Sequence, residues 1–111
     1  MVITFNSSKL EKTLNSEKEI RKAYGKKDGD TIKRRLDFLR AADTLADVPH
    51  IRPWRRHALD GPRKGEFAVD INENDRIVFK PMNHPLPVKT DGGLDLGSIT
   101  KIMIVFVGDY H

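Results

Sequence analysis

The chain has 111 residues, 38% of them hydrophobic and 32% charged, with a formal net charge of +4 and no cysteine. That length suits one domain burying roughly 60 to 70% of its unfolded surface, and the missing cysteines exclude disulfides, thiolate metal sites and cysteine nucleophiles. The apolar run from Ile102 to Val107 is far below the ~20 residues that span a bilayer, and charges from Lys9 to Glu19 leave residues 1 to 20 without a signal-peptide core, so a single cytoplasmic domain over residues 1–111, without membrane association, is expected.

Val2 to Phe5 reads as a short strand at a sheet edge. Ser8 to Glu11 and Ser16 to Glu19 are capping boxes, in which the serine and glutamate side chains satisfy free backbone N–H groups at a helix start. They predict a helical stretch broken near Asn15 and resumed through Ile20, Ala23 and Tyr24 to Gly25. After an Asp28-Gly29-Asp30 turn, Ile32, Leu36 and Leu39 recur at helical spacing with Phe38, Ala42 and Leu45 widening the stripe, which predicts the main core helix over 31 to 46. Pro49 and Pro53 make another regular element before Trp54 unfavourable.

From Phe67 to Ile71 apolar and polar residues alternate, Asn72 to Asp75 is turn chemistry, and Ile77 to Phe79 returns, which predicts a hairpin. Residues 81 to 98 read as a long loop rich in proline and glycine. The last strand, Ile102 to Val107, is apolar on both faces and belongs in the middle of the sheet; replacing Ile104 or Phe106 is expected to unfold the protein. The order β-α-α-β-β-β predicts an α+β domain: a small antiparallel sheet with N-terminal helices packed on one face.

Charge is concentrated mid-chain. Lys26, Lys27, Lys33, Arg34, Arg35 and Arg40 precede a second basic block of Arg52, Arg55, Arg56, Arg63 and Lys64. The first block is equally well read as a solvated helix face, whereas the second lies where no regular helix is expected and points to a phosphate backbone or an acidic protein. Trp54 is read as a core anchor beneath that basic loop. His50 and His84 receive no role, and the four histidines show no metal-binding spacing.

Three blocks, Trp54 to Phe67 with its His57-x-Leu-x-Gly61-x-Arg63 segment, Asn74 to Phe79 with Arg76-Ile-x-Phe79, and the terminal Asp109-Tyr110-His111, resemble the HigB branch of the RelE/ParE toxin superfamily. The resemblance runs over nearly the whole chain. It implies a RelE-like fold and a cytoplasmic toxin of a type II toxin–antitoxin system, held in check by a cognate HigA-like helix-turn-helix antitoxin, that cuts mRNA in the ribosomal A site without a cofactor. His57, Asp109, Tyr110 and His111 match the family's catalytic positions and Arg76 its phosphate-binding position. One position departs from the pattern: Asp60 stands where the family commonly carries lysine.

These residue types suit the implied chemistry. Cleaving RNA without a metal requires a base for the 2′-hydroxyl proton, an acid for the leaving 5′-oxygen and cations for the phosphorane. Imidazole serves as either acid or base near neutrality, and arginine holds phosphoryl oxygens in a planar fork. Arg55, Arg56, Arg63 and Lys64 would add RNA contacts, Asp109 would orient an imidazole, and Tyr110 would donate a hydrogen bond or stack on a base. Two other functions fit the chain: a ParE-like inhibitor of DNA gyrase, which leaves the histidines idle, and a catalytically weak homologue that binds RNA or antitoxin.

Overall fold

The computed structural model describes residues 1–110. Its elements in chain order are β1 (Val2–Phe5), α1 (Ser8–Leu14), α2 (Glu17–Tyr24), α3 (Lys26–Ala41), β2 (His57–Ala58), β3 (Phe67–Asp70), β4 (Arg76–Pro81) and β5 (Lys101–Gly108), with single 3-10 turns at Leu45–Asp47, Gly61–Arg63 and Leu96–Ser98. The strands form one sheet in the order β1-β5-β4-β3-β2. As expected for α+β, the helices cover one face, where Ile32, Leu36 and Leu39 of α3 join Phe67, Val69, Ile77, Phe79, Ile102 and Ile104 in the main core. No helix is long and apolar enough to cross a membrane among the described residues.

Three local features differ from the sequence reading. The α1 cap is Ser7 rather than Ser8, its hydroxyl accepting from Leu10 N–H at 3.1 Å, while Ser16 caps α2 as expected. The core helix spans 26–41, not 31–46, and absorbs the Asp28-Gly29-Asp30 segment. Gly29 is there because α2 crosses against it, and a Cβ would stand 3.2 Å from the Arg21 Cα. Asp30 ties the same crossing through a 2.9 Å ion pair to Arg21. A turn-like triplet thus acts as a helix-packing site.

The sheet is mixed rather than purely antiparallel, and it gains a strand. β1 pairs parallel with β5, Val2 opposite Lys101, because the chain's first and last strands need no tight turn between them and are joined by a long crossover. His57 and Ala58, read from sequence as loop, form a two-residue strand against Ala68 and Phe67. The hairpin of β3 and β4 and the central position of β5 agree with the sequence reading. Within 81 to 98, β4 takes Pro81, opposite Ile102, and the structure adds a Val88–Leu94 bridge and the 3-10 turn.

A bulge decides what the end of β5 presents. Phe79 faces Ile104 but Val78 faces Phe106, so Val105 is an extra residue that reverses the alternation. Ile102, Ile104 and Val107 thereby all contact the helix-side core, while Phe106 turns to the opposite face. There it meets a smaller cluster of Leu59, Ala68 and Val78, with Tyr110 packed alongside. Phe106 is only half-buried, which corrects the expectation that it is a core residue equal to Ile104. Gly108, at φ 144°, is required beside it, since a Cβ would come within 3.2 Å of the Phe106 ring.

The two sides should respond differently. Ile104 is fully buried, so Ile104→Ala is expected to lower unfolding free energy by about 2 to 5 kcal/mol. Phe106→Ala should lose under about 2 kcal/mol. Urea unfolding of both variants checks this ordering.

Candidate active site

The helix-free face of the sheet gathers most of the residues singled out by sequence. Register places His57 in one row with Ala68, Val78 and Phe106, and the adjacent row holds Asp70, Arg76 and Gly108. Residues opposite one another across a sheet share a face, as do residues two apart along a strand. His57, Asp70, Arg76 and Phe106 are therefore presented together, with Tyr110 packed on the same side.

At the centre is an acid that sequence reasoning missed. Asp70 Oδ2 accepts from Arg55 Nε at 2.6 Å, and its Oδ1 accepts from Arg55 Nη2 at 3.3 Å. Arg76 Nε stands 2.8 Å from the same Oδ1, close enough for an ion pair although off the line of a good hydrogen bond. Arg76 is buried, and its remaining nitrogens donate to the carbonyls of Asn72, Glu73 and Asp75. Its guanidinium orders the β3–β4 turn and Asp70. A signal for this existed: Asp70 and Arg76 close the hairpin opposite each other, and a lone acid ending an apolar strand invites a cationic partner.

Arg55 carries the arrangement to His57. It adopts φ 46°, uncommon for a side chain of this size, held by its N–H donating to the Ile51 carbonyl and its fork gripping Asp70. The neighbouring peptide is fixed too, since Asp70 N–H donates to the Trp54 carbonyl at 2.8 Å. Its hydrogen bond to Asp70, and then their attraction, raise the Arg55 pKa above the usual arginine value. The Arg55 carbonyl lies 2.6 Å from His57 Nδ1. A carbonyl can only accept, so Nδ1 carries the proton and neutral His57 keeps its lone pair on Nε2.

The outer part of the site is cationic and aromatic. Arg63 donates to Glu66 at 2.8 Å, and its guanidinium stands 5.0 Å from the Phe106 ring centre and 5.8 Å from that of Tyr110. Lys64 follows on the surface. Among the described residues no cluster could hold a metal ion.

Two solved structures have a similar fold. The chain aligns over its full length with all of the YoeB/ParE toxin from Agrobacterium tumefaciens at a TM-score of 0.60 and 11% identity. It has the YoeB/ParE toxin fold. A second match, to the YoeB-YefM complex from Staphylococcus aureus, covers all of this chain and 97% of that one at a TM-score of 0.54 and 17% identity. No protein-family model and no curated protein matches the sequence.

On this toxin fold the remaining site candidates divide. Arg56 lies away from the open face, its Nη1 donating to the Leu45, Ala46 and Val48 carbonyls, and burial lowers its pKa; it caps the turn after α3. Trp54 is the anchor expected of it, with Phe38 at 4.5 Å on one side and the Arg35 guanidinium at 4.5 Å on another. Asp109 is exposed and Tyr110 half-buried at the end of β5. His111 lies outside the described residues.

Proposed function

We propose that the protein is the toxin of a type II toxin–antitoxin system and cuts mRNA at the ribosome by metal-independent acid–base chemistry. The observation that carries this reading is the 2.6 Å contact between His57 Nδ1 and the Arg55 carbonyl: it assigns the proton to Nδ1 and leaves Nε2 on the basic, helix-free face as a proton acceptor. The toxin fold is consistent with it.

In this reading, His57 Nε2 takes the 2′-hydroxyl proton, the 2′-oxygen attacks the adjacent phosphorus, and the 5′-oxygen leaves with a proton. His111, matched to a catalytic position by resemblance, supplies that proton, and Asp109 orients it. The part of Arg55 left outside its Asp70 contact, together with Arg63 and Lys64, neutralises the phosphorane oxygens. Arg76 acts from beneath by holding Asp70, and through it Arg55, in place. A partner antitoxin of the HigA-like helix-turn-helix kind holds the toxin in check; a fold relative in complex with a second protein fits this.

Primer extension on translated mRNA tests the proposal. The intact protein should produce cuts that require ribosomes, and Asp109→Ala and His111→Ala should weaken them. Undiminished cutting in both variants would remove Asp109 and His111 from the mechanism. DNA breaks dependent on gyrase, without mRNA cuts, would favour a ParE-like inhibitor instead.

A further inference from the structure

Next to His57 in the chain lies a hollow that shares Arg63 with the acid–base step but whose Leu59, Asp60 and Pro62 that step does not use. The loop between β2 and β3 closes on itself: Leu59 N–H donates to the Glu66 carbonyl at 2.9 Å, and Glu66 N–H donates to the Arg63 carbonyl at 3.0 Å. The Arg63–Glu66 ion pair stiffens the same loop. It frames a cavity of about 370 Å³ lined by Ala58, Leu59, Asp60, Pro62, Arg63 and Tyr110.

The walls combine two chemistries. Tyr110 and the Arg63 guanidinium, which lies against Phe106 and Tyr110, are flat surfaces of the kind on which an unstacked base rests. Asp60 is exposed and caps no backbone N–H. Arg63, its nearest cation in sequence, is paired with Glu66 instead. A carboxylate offers two acceptor oxygens side by side and no donor.

We infer that this hollow takes one unstacked base of the mRNA beside the scissile phosphate, and that Asp60 reads it as guanine. The inference rests on the nuclease reading above. Guanine alone presents two neighbouring donors, N1–H and the N2 amino group, on its Watson–Crick edge. Adenine and cytosine set a ring-nitrogen lone pair beside their single amino group, and uracil flanks its one N–H with two carbonyls. Each would bring an acceptor against the carboxylate. The loss of one bidentate contact corresponds to roughly a tenfold to hundredfold preference.

Amide chemical shifts during titration with GMP, AMP, CMP and UMP test the pocket without requiring catalysis. GMP should move the amide resonances of Ala58, Leu59, Asp60, Gly61, Arg63 and Tyr110 and bind at least about tenfold more tightly than the other three, and Asp60→Asn should erase that margin. Equal binding of all four, shifts confined to other residues, or a preference that survives Asp60→Asn would overturn the inference. Mapping cut sites on translated mRNA separates the two readings. Cuts with no guanine bias and no GMP selectivity discard the pocket and leave the nuclease; selective GMP binding without any cuts keeps the pocket and discards the nuclease.

Discussion

His57→Ala is expected to lower the single-turnover rate of mRNA cleavage by about 10²- to 10⁴-fold, the usual contribution of a positioned general base. The stability of this variant should change by only about 1 kcal/mol. His57 sits on a two-residue strand at the sheet edge and is half-buried, and among the described residues its ring makes one hydrogen bond, to the Arg55 carbonyl. His57→Asn sharpens the test, because its Nδ2 takes the place of Nδ1 and can still donate to that carbonyl, while the side chain has no basic nitrogen to accept the 2′-hydroxyl proton. It should restore the lost stability and none of the rate. A thermal melt and a cleavage time course on the same two variants read both quantities; a variant that unfolds as it loses activity would place His57 in the scaffold.

Asp70→Ala should have the largest effect on stability of any change at the site. Arg76 has a side chain only 8% exposed, so removing its anion leaves a buried cation without a counter-charge, a loss of about 3 to 5 kcal/mol. Against a typical total of about 5 to 15 kcal/mol, that is a melting temperature lower by at least about 10 °C. Arg55→Ala, which removes the other half of the arrangement, should do far less to stability, because the Arg55 side chain is 39% exposed and solvent screens the pair. Its effect should fall on cleavage, through the freed Arg55 carbonyl and the lost phosphate contact. Melting curves for Asp70→Ala and Arg55→Ala that coincide would contradict this division of roles.

The legible parts of the fold are those written in local periodicity. Ile32, Leu36 and Leu39 mark the buried face of α3, and the alternation from Phe67 to Ile71 marks β3, because packing Phe67, Val69 and Ile71 against the helix-side core imposes the spacing directly. Gly29 misleads for a reason that is not local: it is needed where α2 crosses α3, and a contact between helices leaves no turn signature. The parallel pairing of β1 with β5 is equally hidden, since Val2 to Phe5 reads the same whichever way its partner runs. The Val105 bulge is a matter of register, invisible in a run that is apolar on both faces, and it alone turns Phe106 from the core to the site.

The site shows the same division. Residue chemistry and resemblance singled out His57, Arg55, Arg63, Arg76 and Tyr110, and the open face of the sheet brings them together. What they could not supply is which cations are already engaged: Arg56 on the carbonyls after α3, Arg76 on Asp70 and the turn. Asp70 escaped notice because its importance lies in its partners across the hairpin.

In the proposed reaction mRNA is cut through its own 2′-oxygen, with His57 as base and no metal. The termini of the products report this most directly. Cleavage of a ribosome-bound mRNA should leave a 2′,3′-cyclic phosphate, or the monophosphate it opens to, on the upstream fragment and a 5′-hydroxyl on the downstream one. A 3′-hydroxyl with a 5′-phosphate would mean that water, not the neighbouring 2′-oxygen, attacked the phosphorus, and would contradict the account.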